Sequence, residues 1–245
     1  MLTVFLLGCG AETYDHRFRD ITKTLLADQA QLDQNLNGFW GQRGIWLRVP
    51  AGFTEEPVPP DGLAAIRLPN KKRVELPGLL GVFTKDVAAI ASDGGTLEVP
   101  AGIAVLSNRE FLTSRGTQKD DKEKRIDPAD FLKLVKDALA AGASAVDSQS
   151  RSITVGGRNF QPTLRYDVLD YQVMGSQGVE YDVSLYSHSQ SNGSAEVAMI
   201  VAAPSRLAAE ESLETRIPLV LRTLRIEDAG ASAASPSAPP AGPSF

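Results

Sequence analysis

Apolar side chains recur at helical spacing in three segments of the chain. The first segment, residues 15–36, predicts an amphipathic helix that ends before a glycine-rich stretch. Its apolar positions are Phe18, Ile21, Leu25, Leu32 and Leu36, and the glycines that follow are Gly38, Gly41 and Gly44. We therefore expect residues 10–37 to form a helical stalk in front of a folded domain.

The other two helical segments carry clear start or stop signals. Asp127 suits the N-cap and Pro128 the first position of a helix that runs towards Gly142. The predicted apolar stripe of this helix comprises Phe131, Leu134, Val135 and Leu139. In the third segment one helical face is formed by Leu213, Ile217, Leu221 and Leu224. We expect Pro218 to kink that helix or to divide it.

Strand patterns fill most of the remaining sequence. GIWLRVPAGF, RVELPGLLGVFTK and TLEVPAGIAVLSN predict strands, and the prolines inside the last two favour sheet edges or bulges. RSITVGGRNFQPTLRYDVLDYQV predicts two strands around Gly156 and Gly157. VEYDVSLYSHS and AEVAMIVAAP predict a hairpin at Asn192 and Gly193, a pair that favours a tight turn. These patterns predict one α+β domain over residues 38–228, an antiparallel β-sheet with helices packed on it.

Composition limits what the protein can bind. The chain has 245 residues, 42% hydrophobic and 22% charged, which suffices for one sizeable core or two small ones. Its net charge of −5 gives no electrostatic basis for nucleic-acid binding. One cysteine and two histidines are too few for a transition-metal centre, so we expect no metal and no cofactor. Residues 229–245, rich in Ala, Ser and Pro, predict a disordered tail.

The opening residues, MLTVFLLGCG, favour a lipoprotein signal. Leu6, Leu7 and Gly8 precede Cys9 as the residues of a bacterial lipobox precede the cysteine that receives the lipid, although Leu7 stands where a small residue is usual. Residues 1–9 would then be the remnant of a lipoprotein signal ending in its lipobox.

Two other interpretations of this segment stay open. In one, Gly8 and Gly10 begin a phosphate-binding turn after a buried strand, but the third glycine of that motif is replaced by Thr13. In the other, Cys9 is an ordinary buried cysteine in an N-terminal strand.

Two clusters carry residue types suited to a functional site. In LYSHSQS, Ser187 or Ser189 with His188 and the acid Asp182 would supply a serine hydrolase, although neighbours on a strand point to opposite faces. In NGFWGQRG, an exposed Trp40 or Phe39 in a glycine-rich loop would anchor a partner, with core packing as the alternative.

The C-terminal half resembles the PsbP-like (Mog/PsbP/DcrB) family. The resemblance rests on VGGRNFQPTLRYDVLDYQV, EYDVSLYSHS and AEVAMIVAAPSRLAAEESLETRIPLVLRTLRI, and on GIWLRVPAGF near the start. It implies an α/β/α sandwich. Members of this family include lipid-anchored bacterial envelope proteins and accessory subunits of photosynthetic complexes.

Together these observations predict a non-enzymatic, lipid-anchored protein of the bacterial cell envelope. It would bind, or assist the assembly of, another envelope component. The alternatives are a serine hydrolase at Ser187, His188 and Ser189, and a cytosolic scaffold protein in which Cys9 is buried.

Overall fold

A seven-stranded antiparallel sheet forms the centre of the computed structural model of this chain. The structure describes residues 11–58, 64–109, 128–143, 148–156, 162–175, 178–190, 195–207 and 213–227. The helices are α1 (Ala11–Asn35), α2 (Pro128–Ala143) and α3 (Leu213–Arg222). The strands are β1 (Leu36–Gln42), β2 (Ile45–Pro50), β3 (Thr54–Glu56), β4 (Ala64–Arg67), β5 (Arg73–Leu76), β6 (Leu79–Ile90), β7 (Thr96–Ser107), β8 (Ser148–Gly156), β9 (Thr163–Met174), β10 (Glu180–Ser189), β11 (Glu196–Pro204) and β12 (Arg225–Ile226).

The central sheet has the strand order β3-β6-β7-β11-β10-β9-β8, and all neighbours are antiparallel. A smaller sheet has the order β1-β2-β12, and β4 and β5 form a separate hairpin. The predicted α+β class, an antiparallel sheet with helices packed on it, is therefore confirmed.

The predicted hairpin between β10 and β11 is also present. The two strands pair along their length, with Ser189 opposite Glu196 at the end nearest the turn. The expected turn at Asn192 and Gly193 lies outside the described residues. So do Cys9 and the tail predicted over residues 229–245.

Helix α2 covers one face of the central sheet together with the β4–β5 hairpin. Phe131, Val135 and Leu139 are completely buried, in a cluster that includes Leu76 of the hairpin. Leu134, predicted to share this stripe, is instead 46% exposed. Successive helical residues turn by about 100°, so Val135 and Leu139 drift to one side of Phe131 while Leu134 falls on the other.

Helix α3 covers part of the opposite face. Leu213, Ile217 and Leu221 are buried as predicted. Pro218 lies inside α3, yet the helix continues to Arg222, so of the two expected effects, a kink or a division, the division is wrong. The side chain of Pro218 is exposed, and the ring therefore does not disturb the buried face.

Helix α1 is held at its C-terminal end. Leu32 and Leu36 are buried, whereas Tyr14 and Phe18 are 70% and 60% exposed. The prediction that a glycine-rich loop follows this helix is wrong, because β1 starts at the residue after the helix ends.

The buried guanidinium of Arg48 fixes the junction between α1 and β1. Its Nη1 donates to Asp33 Oδ1 at 2.7 Å, its Nε to the carbonyl of Asn37 at 2.6 Å and its Nη2 to the carbonyl of Leu36 at 3.0 Å. One side chain of β2 thus holds a carboxylate in the last turns of α1 together with two carbonyls at the start of β1.

Prolines in the strands lie where the sheet tolerates them. Pro77 and Gly78 separate β5 from β6, so RVELPGLLGVFTK contains two strands instead of one. Pro100 lies within β7, which pairs with β11 only from Gly102 onwards. At Pro100 the strand therefore has a neighbour on one side only, as its missing N–H requires, and the predicted edge position is confirmed.

The buried Phe131 and the exposed Leu134 of α2 give a first test of the orientation of this helix. Phe131→Ala should lower the free energy of unfolding by about 3–5 kcal/mol, because it removes a completely buried ring. Leu134→Ala should change it by about 0.5 kcal/mol or less. Urea denaturation followed by circular dichroism measures both values. A larger loss for Leu134→Ala than for Phe131→Ala would contradict this orientation of α2.

Candidate functional site

Phe39 and Trp40 lie on β1 and have different surroundings. The Phe39 ring is 50% exposed and lies beneath two guanidinium groups, with Arg225 Cζ 4.8 Å and Arg48 Cζ 5.8 Å from its centroid. Trp40 is half-buried, and its ring meets that of Phe83 edge-on at 5.3 Å. The expectation of a loop around Trp40 is therefore wrong, and of this pair Phe39 is the more exposed ring.

A hydrogen bond fixes the indole of Trp40. Its Nε1 donates to Glu55 Oε1 of β3 at 2.9 Å. The ring thus links the small sheet to the edge of the large one. Replacing it would change the packing between the two sheets as well as any surface it offers to a partner.

The hydroxyls of Ser187 and Ser189 are both engaged away from His188. Ser187 Oγ donates to the carbonyl of Asp167 at 3.3 Å, and Ser189 Oγ donates to Glu196 Oε2 at 2.5 Å. His188 Nδ1 donates to the carbonyl of Arg165 at 2.8 Å. The structure therefore does not bring either serine to the histidine, which is the contact that a nucleophile–base pair requires.

Glu196, which accepts from Ser189, is a nearly completely buried carboxyl. Burial raises its pKa, while the hydrogen bond from Ser189 acts in the opposite direction. Its backbone N–H donates to Asn108 Oδ1 at 2.9 Å and its carbonyl accepts from Ser107 Oγ at 2.9 Å. These bonds join β7, β10 and β11 at one end of the sheet, so the cluster serves the fold.

A large cleft lies between α3 and strands β8 to β11. It has a volume of about 1180 Å³. Ile217 and Leu221 of α3 form an apolar wall, and Gln149, Arg151 and Asp182 lie along the facing strands. Of the residues proposed from the sequence, only Asp182 lines this cleft.

A polar network lies on the floor of this cleft. Asp170 accepts from Ser184 Oγ at 2.5 Å and from Arg151 Nε at 2.8 Å. The buried phenol of Tyr186 lies beside Arg151 and Ser184. Burial raises the pKa of Tyr186, so the phenol stays neutral over the physiological range.

One group on the rim of the cleft lacks a partner. The hydroxyl of Ser205 is buried, lines the cleft and makes no hydrogen bond. A buried hydroxyl normally finds an acceptor, and an unpaired one costs about 1–3 kcal/mol.

The network that lines the floor was missed because its members are far apart in sequence. Strand pairing places Ser184 and Gln149 opposite Asp170, and Arg151 lies diagonally across from it. The available signal was a polar residue at an inward position of three consecutive strands. Reading it requires the register between β8, β9 and β10, which periodicity does not provide.

Similarity to known proteins gives no independent assignment. No family model matches this chain, and no curated protein shows significant sequence similarity to it. Over the part of the chain that the structure covers, no helix is long and apolar enough to span a membrane. Within the same part, no group of three or more His, Cys, Asp and Glu residues is placed to hold a metal ion.

The raised pKa of Glu196 gives a pH-dependent prediction. Folding favours the neutral form of this carboxyl, because burial raises its pKa. The stability that the carboxyl contributes to the folded state is therefore complete below the unfolded pKa of about 4.3, and it is lost as pH rises through the folded pKa. Glu196→Gln cannot ionise, so the stability of this variant relative to the wild type should rise between pH 4 and pH 7. Urea denaturation at several pH values measures this difference.

The control for the pH experiment is Glu214→Gln, which removes one negative charge from an exposed position on α3. A stability difference for Glu196→Gln that falls as pH rises would contradict the burial of this carboxyl as its dominant influence.

Proposed function

We propose that this chain is a non-enzymatic binding protein of the bacterial cell envelope, held on a membrane by a lipid at Cys9. Its cleft between α3 and the central sheet would receive a segment of another envelope protein. The observation that carries this proposal is the cleft itself, with its polar floor and apolar wall.

The size and chemistry of the cleft support a polypeptide ligand. Its volume of about 1180 Å³ exceeds the range of about 300–1,000 Å³ usual for small-molecule sites. The floor offers both a guanidinium and carboxylates, through Arg151, Asp170 and Asp182. Mixed donors and acceptors beside apolar side chains suit a peptide segment, which carries both kinds of group.

The contacts of the serine hydroxyls favour binding over hydrolysis. Ser184 on the floor donates to a carboxylate, and Ser187 and Ser189 donate away from His188. A hydrolase at this hairpin would need a hydroxyl within about 3 Å of an imidazole nitrogen.

The lipid anchor rests on the lipobox-like sequence Leu6-Leu7-Gly8-Cys9. Helix α1 begins two residues after the cysteine and, at 25 residues, is about 37 Å long. As a stalk, it would hold the folded domain away from the membrane surface. Two acyl chains give stable attachment where a single chain gives only marginal binding.

The anchor predicts a defined labelling result. In a bacterial host that processes lipoproteins, the wild-type chain should incorporate a clickable palmitate analogue and sediment with membranes. Cys9→Ala should lose the label and move to the soluble fraction, because it removes the acceptor thiol. Equal partitioning of both chains without label would refute the anchor and favour the cytosolic scaffold.

The cleft predicts a site-specific crosslink. A photo-crosslinking amino acid at Gln172, which lines the cleft, should give a discrete product with a partner protein in living cells. The matched control places the same amino acid at Lys133, an exposed position of α2 on the opposite face of the sheet. The control should not give this product.

A charge reversal on the floor links the crosslinked product to the cleft. Arg151→Glu should lower its yield at Gln172 by about tenfold, the effect of losing about 1.4 kcal/mol of binding free energy. Identical products from Gln172 and Lys133, or a yield that Arg151→Glu leaves unchanged, would contradict binding in the cleft.

A further inference from the structure

The two edges of the central sheet differ in how well they resist pairing with another strand. At one edge, β3 has three residues, of which Glu55 and Glu56 are exposed and charged, and Pro57 follows it. A short, charged edge next to proline is the usual protection against unwanted strand addition.

The other edge lacks this protection. Strand β8 has nine residues and pairs with β9 along its whole length, and no described residue pairs with its outer side. It contains no proline and a single charged residue, Arg151. The Nε of Arg151 donates to Asp170 of its own sheet at 2.8 Å, so this charge is neutralised locally and does not guard the edge.

We propose that β8 is a homodimer interface, in which two copies of this chain pair their β8 strands antiparallel about a two-fold axis at Ser152. The two central sheets then form one continuous sheet. The outward backbone N–H and C=O groups of each strand bond to those of the other. This inference does not depend on the function of the cleft or on the anchor at Cys9.

The sequence of β8 is self-complementary about Ser152. With the axis at this residue all nine residues are paired, and Arg151 lies opposite Ile153 of the second copy. Moving the axis to Arg151 would place two guanidinium groups opposite each other, which destabilises a strand pair. The symmetric register therefore gives the longest overlap without a directly opposed like-charge pair.

The side chains on the two faces of β8 are also compatible with this pairing. Ser150, Ser152 and Thr154 lie at every second position of β8, and all three are small and exposed. Ser152 would lie opposite its own copy, and Ser150 opposite Thr154. Pairs of Ser and Thr hydroxyls stabilise adjacent antiparallel strands.

Charge favours a second copy at this edge in preference to elsewhere on the surface. A net charge of −5 per chain opposes association of two copies in general. On the cleft face, β8 contributes one charge, that of Arg151, and the ion pair with Asp170 of β9 neutralises it. On the other face, Ser152 donates to Asp167 at 2.6 Å, and Arg165 lies 3.4 Å from the same hydroxyl, so the charges there also balance.

Charge substitution at the three hydroxyl positions tests the interface. The wild-type full chain should be a dimer by sedimentation equilibrium. The triple variant Ser150→Lys, Ser152→Lys, Thr154→Lys should be a monomer, because it places three pairs of like charges across the junction. The corresponding triple Glu variant should also be a monomer, and an equimolar mixture of the two should form a one-to-one heterodimer.

A matched control separates this effect from net charge. Thr24→Lys, Ala27→Lys, Ala30→Lys adds the same charge at exposed positions of α1 and should leave the dimer intact. A wild-type chain that stays monomeric at every concentration overturns the proposal. So does a dimer that survives in both β8 variants, since its interface would then lie elsewhere.

A measurement on the wild type covers the case in which the triple variants fail to fold. Amide hydrogen exchange should slow in residues 148–156 as protein concentration rises, because pairing protects the outward N–H groups. Protection of the outward N–H groups that does not depend on concentration would overturn the proposal, since it would show the edge covered by the chain itself.

Discussion

Strands β7, β10 and β11 carry apolar side chains on both faces, and this constraint decides where the other elements lie. One face is closed by α2 and the β4–β5 hairpin, around Phe131 and Leu76. The other is closed by α3, the small sheet and the end of α1, around Ile217 and Leu32. Since α3 has only ten residues, it leaves part of this face uncovered, and that part is the cleft.

The elements whose signals are local could be predicted from the sequence. Apolar spacing located all three described helices, and Pro128, predicted as the first helical position, is where α2 starts. The errors arose where distant contacts prevailed over local signals. Gly41 suggested a loop, but it lies in β1 because the ring of Trp46 packs so closely against it that a Cβ would lie 2.1 Å from the ring.

The candidate site could not be predicted in the same way. Arg151, Asp170 and Tyr186 come from three strands, and only the pairing register brings them together. Sequence adjacency drew attention instead to Ser187, His188 and Ser189, whose side chains alternate between the faces of β10. The lipobox-like residues before Cys9 are a strictly local signal that does not depend on the fold, and lipidation there stays a prediction.

Strand pairing at β8 has a geometric consequence for the cleft and the stalk. A two-fold axis perpendicular to the sheet keeps equivalent faces of both copies on the same side. The two clefts would open side by side, because Arg151, Ile153 and Val155 of β8 line each of them. Leu32 of α1 belongs to the core on that same face, so both stalks would start from one side of the dimer. The proposed lipid anchors of both copies would then reach one membrane, whereas an axis lying in the plane of the sheet would place the stalks on opposite sides.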